Sequence, residues 1–320
     1  MNSEEYLGYL SKKFRVDTIM EGTRDSLDAQ MKREGKPFVS FAGTHRSGEE
    51  VVTEAWNRQR LILDRIQSLQ AGSDIELRER PILGYLPTLD LNAVSTLAPN
   101  GDPIILLDVQ LRSVLHTFAS FLFYLGNEAK TRGGLSEVSE EVIFVTLKAI
   151  GAGIRLFLRD KEAHSDFMDA WKWMVYKVPP EIPETGDLLC DVLIMYILSH
   201  EYAHHALGHV SRSTIKRYEL SKGQTPIELA IASQLQQRDA DELALKIFLK
   251  CQGQDSELLA FRHVEEFLFA PLLFFDIIST VEATSHFRKR PIRVHPPALE
   301  RQRLLSDKVM TRLDQRRRGN

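Results

Sequence analysis

The sequence predicts an α+β fold that is mostly helical and contains a small sheet. Segment 48–69 has apolar residues at the spacing of an amphipathic helix. Segment 103–111 starts with β-branched residues directly after the turn sequence Pro-Asn-Gly-Asp, a pattern typical of a buried strand. From residue 187 onward the chain has almost only helical patterns, so helices should dominate its second half.

Start signals and loop signals place the remaining elements. The proline-rich segment 178–187 predicts a loop, followed by a helix from Asp187 to about Val210. Residues 225–228, Thr-Pro-Ile-Glu, combine a capping box with proline at the first helical position, which predicts a second helix to about Lys250. Further helices are predicted over 114–125, 142–158, 255–281 and from the Pro-Pro pair at 296–297.

Composition excludes several classes of protein. The 320 residues carry a net charge of −3, whereas a general nucleic-acid binder needs a large basic excess. Hydrophobic residues make up 43%, which excludes a wholly disordered chain. The longest apolar run, 267–275, has about half the length of a membrane span. Two cysteines and no secretory pattern lead us to expect a cytoplasmic protein without a membrane span.

One short motif carries recognisable chemistry. Residues 200–204 read His-Glu-Tyr-Ala-His and follow an apolar helical segment. Residues four apart on a helix differ by about 40° in direction, so His200 and His204 should project side by side and can bind one Zn²⁺. Glu201 lies about 100° away from His200, where it can meet the attacking water as general base. We therefore expect a zinc site with Glu201 as catalytic residue.

A catalytic zinc site needs a third protein ligand. His209 follows Gly208 downstream, but its position does not match the metzincin pattern, in which glycine comes three residues and histidine six residues after the second motif histidine. Near a helix end, His205 and His209 are better explained as cationic side chains favoured by the helix dipole. The other source is a carboxylate on the following helix, where Asp239 and Asp241 occur in the sequence Arg-Asp-Ala-Asp-Glu-Leu-Ala.

These segments together resemble a known family. The sequences HEYAH (200–204), RDADELA (238–244) and HPPALER (295–301) occur in the order found in gluzincin-type zinc peptidases related to HtpX, BepA and the CAAX prenyl endopeptidases. The resemblance covers about residues 187–310. It implies a zincin-like domain over 86–320, with an active-site helix, a second ligand-bearing helix and a small sheet. Residues 1–85 would then form a mainly helical N-terminal region with a regulatory or partner-binding role.

The third ligand is where this chain departs from the family. The family's ligand glutamate corresponds to Gln237, and a neutral amide is a poor zinc ligand. The family's aspartate, here Asp241, usually supports the first histidine. We expect Asp241 to be drawn in as the ligand instead, with Asp239 as the alternative. If neither binds, the site is a degenerate metal site.

The resemblance also predicts roles for residues of the last motif, HPPALER (295–301). His295 in such proteins can approach the metal or stabilise the oxyanion, and we include it as a catalytic candidate; alternatively it forms a His-Pro turn that starts a helix. Arg301 is expected to have a structural role. In such folds the substrate usually adds as a strand along a sheet edge, and segment 103–111 is our candidate for that edge.

The expected function is that of a soluble zinc-dependent endopeptidase that hydrolyses peptide bonds of a protein or peptide substrate. One alternative is a non-catalytic, zinc-stabilised interaction module, suggested by the missing ligand glutamate. Another is a bacterial protease toxin or phage-defence effector of narrow specificity, which rests on analogy alone. Because unregulated proteolysis harms a cytosol, a regulatory protein partner is also part of this hypothesis.

Overall fold

The computed structural model describes residues 1–18, 25, 32, 38–39, 45–46, 48–87, 93–157, 166, 169, 181–211, 215–218, 227–230, 232–251, 260, 267–286 and 297–318. Its elements, in chain order, are α1 (Ser3–Phe14), β1 (Phe38–Val39), β2 (His45–Arg46), α2 (Gly48–Gln70), β3 (Ile82–Leu86), β4 (Ala93–Leu97), β5 (Pro103–Asp108), α3 (Leu111–Arg132), a short 3-10 helix (Leu135–Glu137), α4 (Glu140–Phe157), α5 (Glu181–Ala206), β6 (Ile215–Tyr218), β7 (Ile227–Ala230), α6 (Gln234–Lys250), α7 (Ala270–His286) and α8 (Ala298–Arg317). The described chain is mostly helical with a small sheet, which confirms the α+β prediction at that level.

The chain forms two compact units. The first contains residues 1–109 and 197–258, and the second contains residues 110–196 and 259–320. The division falls within α5, between Tyr196 and Ile197. The domain boundary predicted after residue 85 lies inside β3, whose pairing with β5 keeps the two sides of that boundary in one unit.

The first unit is built around a three-stranded mixed sheet. Its strand order is β3-β5-β4, with β5 parallel to β3 and antiparallel to β4. All six residues of β5 are buried, as the sequence predicts for this segment. The prediction that this segment forms the sheet edge is wrong, because β5 is paired on both sides. Within the described sheet, the antiparallel edge is β4.

The start of α6 differs from the prediction. Ile227–Ala230 forms β7, which pairs with β6 in antiparallel register, and the helix begins only at Gln234. A second capping box sets this later start. The Ser233 hydroxyl accepts from the Gln236 backbone N–H at 3.2 Å, and the Gln236 side chain accepts from the Ser233 N–H at 2.8 Å. The sequence therefore contains two capping boxes, at 225–228 and at 233–236. Because residues 227–230 pair as a strand, the helix starts at the second box.

Helix α5 begins earlier and ends earlier than expected. It starts at Glu181, so the predicted loop 178–187 is helical from that residue on. Proline at position 183 is tolerated because the N–H groups of the first helical turn have no intrahelical partner. The helix ends at Ala206 rather than near Val210, and Gly208 follows it with a left-handed φ of 66°.

The second unit is a helical assembly with a partly buried ion pair. Arg112, near the start of α3, donates hydrogen bonds to Asp191 and, at 3.2 Å, to Asp187, both on α5. Burial by itself lowers the pKa of Arg112, but the Asp191 carboxylate raises it above its ordinary value, so the guanidinium stays charged.

Helices α7 and α8 pack against each other in the same unit. None of the helices in the described part of the chain is long and apolar enough to cross a membrane.

Close packing of α3 against α5 predicts the effect of two matched substitutions. A Cβ added at the buried Gly186 would lie 2.8 Å from Ser120 Cα, so Gly186→Ala must push the two helices apart. We expect it to destabilise the protein by about 1–3 kcal/mol in urea unfolding.

The control for this prediction is Gly126→Ala, because nothing lies within 4 Å of a Cβ at that helical position. It should stabilise the protein by about 0.5–1 kcal/mol through helix propensity. Equal effects of the two substitutions would contradict the packing described for α3 and α5.

Candidate functional site

The last two turns of α5 carry the predicted histidine pair. His200 and His204 are buried, and their Nε2 atoms lie 3.1 Å apart with the ring planes nearly perpendicular. Glu201 follows His200 and is 2% exposed. The four-residue spacing therefore brings both imidazoles to one place, as the sequence predicts.

A side chain from α6 joins the two imidazoles. Gln237 is buried, and its Oε1 atom lies 3.2 Å from His200 Nε2. A tetrahedral zinc site with bonds of about 2.0–2.1 Å keeps neighbouring donor atoms about 3.3–3.4 Å apart. The separations of 3.1 and 3.2 Å, both measured from His200 Nε2, are close to that value.

Asp241, predicted as the third ligand, lies on another side of His200. Its Oδ1 atom is 2.9 Å from His200 Nδ1, whereas Gln237 and His204 are on the Nε2 side. The short aspartate side chain, one turn after Gln237, reaches only the nearer ring nitrogen. A carboxylate at Nδ1 orients a ligating histidine and raises its basicity, which is the role of the aspartate in the resembled family. That Asp241 binds the metal itself stays a prediction.

Asp239, the alternative ligand in the sequence-based prediction, is exposed on α6. It lies two residues before Asp241, which places it on a different face of the helix. Its charge acts on His209, where it opposes the lowering of the pKa that burial causes. The structure therefore does not bring Asp239 to the histidine pair.

His209 is a site residue that the sequence analysis assigned elsewhere. Its Nδ1 atom lies 3.1 Å from His204 Nδ1, on the opposite side of that ring from His200. Burial lowers the pKa of His209, although nearby Asp239 raises it. The prediction assumed a helix that continues to Val210; because α5 ends at Ala206, His209 instead turns back onto His204.

His205 does not act as a cationic helix cap. It is partly buried, and desolvation lowers its pKa to about 4 despite the opposing effect of its hydrogen bond with the backbone of Ile104. The ring is therefore neutral at pH 7, and Nε2–H donates to the Ile104 carbonyl at 3.1 Å. This bond ties the end of α5 to β5.

Ser95 holds the carboxylate of Glu201. The Ser95 hydroxyl, buried on β4, lies 2.6 Å from Glu201 Oε2 and 2.9 Å from the Glu201 backbone carbonyl. A hydroxyl has one hydrogen to donate, so these two oxygens share it. The sequence gives no signal for this contact, because a single serine in a strand is common and its partner is 106 residues away.

Only part of the last predicted motif lies within the described residues. His295 lies outside the described residues. Arg301 belongs to the second unit, where it is buried with its guanidinium 4.8 Å from the Phe275 ring centroid. This cation–π contact agrees with the structural role predicted for Arg301.

Among the described residues, no group of three or more His, Cys, Asp or Glu side chains is arranged to hold a metal ion. The atoms closest to His200 Nε2 are Nε2 of His204 and Oε1 of the Gln237 amide. No family model, curated protein or solved structure matches the chain. The family resemblance therefore depends on the three short motifs alone.

The contact between Ser95 and Glu201 generates a testable prediction. Ser95→Ala removes a hydrogen bond to a buried carboxyl group and should lower the free energy of unfolding by about 1–3 kcal/mol. Urea denaturation monitored by circular dichroism measures this change.

The matched control is Ser306→Ala, which removes the 2.9 Å bond from an exposed hydroxyl to the Arg303 carbonyl. Its effect should stay within about 0.5 kcal/mol, as is usual for surface positions. A similarly small effect of Ser95→Ala would be inconsistent with the contact to Glu201.

Proposed function

We propose that this protein is a zinc-dependent endopeptidase in which His200, His204 and Gln237 hold the metal and Glu201 is the general base. The observation that carries the proposal is the convergence of His200 Nε2, His204 Nε2 and Gln237 Oε1, with Glu201 on the same buried helix. The order of the three family-like motifs supports it independently.

Each buried side chain has a separate task in this proposal. A zinc ion bound there would supply Lewis-acid polarisation of a peptide carbonyl and lower the pKa of water to about 7. Glu201 accepts the proton of the attacking water and delivers it to the leaving amine. Ser95 fixes the orientation of the Glu201 carboxylate, and Asp241 fixes the ring of His200.

The substrate is proposed to be a protein or peptide that binds along β4. This strand is the antiparallel edge of the described sheet, and its Ser95 contacts the general base. An extended peptide can pair with such an edge through its backbone.

The compartment is part of the same proposal. Neither Cys190 nor Cys251 forms a disulfide, and both are buried. Burial raises the pKa of Cys251 to about 12, although Arg65 lowers it, so this thiol is unreactive at neutral pH. Buried cysteines that form no disulfide suit a reducing cytoplasm, which we propose as the location.

Exchanging the proposed third ligand tests its identity. Gln237→Glu should raise zinc affinity about 10-fold or more, because an anionic oxygen binds the cation more strongly than an amide oxygen. The metal-free variant should be less stable than the parent, since it buries another carboxylate. Competition with a chromophoric chelator measures affinity, and thermal unfolding of both forms measures stability.

Gln236→Glu is the matched control for this prediction. It places the same charge one residue away, and its carboxylate can still accept the Ser233 N–H of the capping box. Its zinc affinity should stay within about 3-fold of the parent, less than the 10-fold steps expected of ligand and supporting residues. Asp239→Asn should also have little effect. A gain in Gln236→Glu equal to that in Gln237→Glu would remove Gln237 from the ligand set.

Removal of the general base tests the proposed activity. Glu201→Gln should retain bound zinc yet lose peptide hydrolysis by at least about 100-fold, because an amide cannot accept the proton. Zinc content by elemental analysis and cleavage of a peptide library measure the two properties separately. Persistent proteolysis in this variant would reject Glu201 as the base.

The neutral Gln237 also favours a second candidate function. A ligand set without a carboxylate is compatible with a non-catalytic, zinc-stabilised interaction module. In that case both the parent and Glu201→Gln would bind zinc, and neither would cleave any peptide of the library. The same experiment therefore distinguishes the two candidates.

A further inference from the structure

We propose that His209 is a positioning residue that accepts a hydrogen bond from Nδ1–H of His204 and so directs the Nε2 lone pair of His204 toward His200 and Gln237. This inference rests on the proposed zinc site. It adds a task for a residue that lies outside the ligand set and outside the reacting atoms.

The short distance between the Nδ1 atoms of His204 and His209 supports this proposal. His204 Nδ1 and His209 Nδ1 are 3.1 Å apart, a normal hydrogen-bond separation. Two neutral imidazoles can share only one hydrogen along this line, so one ring donates and the other accepts. If His209 donated, His204 would carry its own hydrogen on Nε2 and could not bind a cation there. Metal binding therefore requires His204 to donate.

The local backbone holds His209 in this place. Gly208 has a φ of 66°, and its N–H donates to the His205 carbonyl at 3.0 Å. The next N–H, that of His209, donates to the His204 carbonyl at 2.9 Å. Backbone and side chain of His209 thus both contact His204, and the glycine in the left-handed region permits this reversal of the chain.

The two proposed ligand histidines then have different partners at their other nitrogens. His200 has a carboxylate, Asp241 Oδ1, at 2.9 Å from Nδ1. His204 has a second imidazole at the equivalent atom. Each ring thus has a polar partner at the nitrogen opposite Nε2, and loss of such a partner typically costs 10–100-fold in metal affinity.

Two substitutions at 209 separate hydrogen bonding from packing. His209→Leu fills the space but offers no acceptor, and should lower zinc affinity about 10–100-fold. His209→Asn places Oδ1 near the position of Nδ1 and should restore affinity to within about 3-fold of the parent, since an amide oxygen accepts the same hydrogen. Chelator competition measures zinc affinity, and thermal unfolding checks that each variant is folded.

The matched control is His205→Asn. This residue is the neighbouring, partly buried histidine, but it contacts the Ile104 carbonyl rather than a proposed ligand. It should lower thermal stability and leave the zinc affinity of the folded protein within about 3-fold of the parent, since it removes no partner of a ligating ring.

A spectroscopic readout tests the tautomer without any substitution. In the zinc-loaded, ¹⁵N-histidine-labelled parent, we expect a slowly exchanging Nδ1–H signal of His204 with a scalar coupling to the acceptor nitrogen of His209. Protonation of His204 at Nε2, or equal zinc affinity in the parent and His209→Leu, would overturn the role of His209 while leaving zinc binding intact. A parent protein that binds no zinc would overturn the zinc site itself and this inference with it.

Discussion

The structure of the site depends on the approach of two buried ring nitrogens, Nε2 of His200 and Nε2 of His204, to 3.1 Å. Each atom presents either a lone pair or a hydrogen, and two lone pairs at this distance repel each other unless a proton or a cation lies between them. The surrounding contacts can be understood from this constraint. Asp241 and His209 contact the Nδ1 atoms of the two rings, and Gln237 Oε1 approaches from α6 as a third donor.

The fold supplies this arrangement by anchoring the end of one helix at several points. Ser95 on β4 bonds to the side chain and backbone of Glu201, and His205 donates to the backbone of β5. Tyr202 accepts from the Leu77 N–H at 3.3 Å, in the segment before β3. Glu201, Tyr202 and His205 at the end of α5 thus contact different parts of the first unit. Rotation of the helix end would break all of these bonds at once. The bonds therefore hold the rings of His200 and His204 in their positions.

The features predictable from sequence are those encoded by local periodicity. The four-residue spacing of His200 and His204 predicts their contact, and the apolar run in 103–111 predicts a buried strand. The identity of the third donor is not local, because it depends on the rotation of α6 about its axis. That rotation places Gln237 toward Nε2 and Asp241 toward Nδ1. Likewise, the segment 227–230 has the start signal of a helix, and only its pairing with β6 makes it a strand.

Charge gives a reason for an amide at the position where the gluzincin family that the three motifs resemble has a glutamate. Glu201 and Asp241 are both buried within this site, and two buried carboxylates are costly without compensating positive charge. A divalent cation would offset both if both are ionised, leaving the group neutral. Glutamate at 237 would add a third buried carboxylate and bind the cation more tightly, at the expense of the metal-free fold. Gln237 therefore favours a stable metal-free protein with weaker metal binding, so that occupancy of the proposed site would follow the concentration of available zinc.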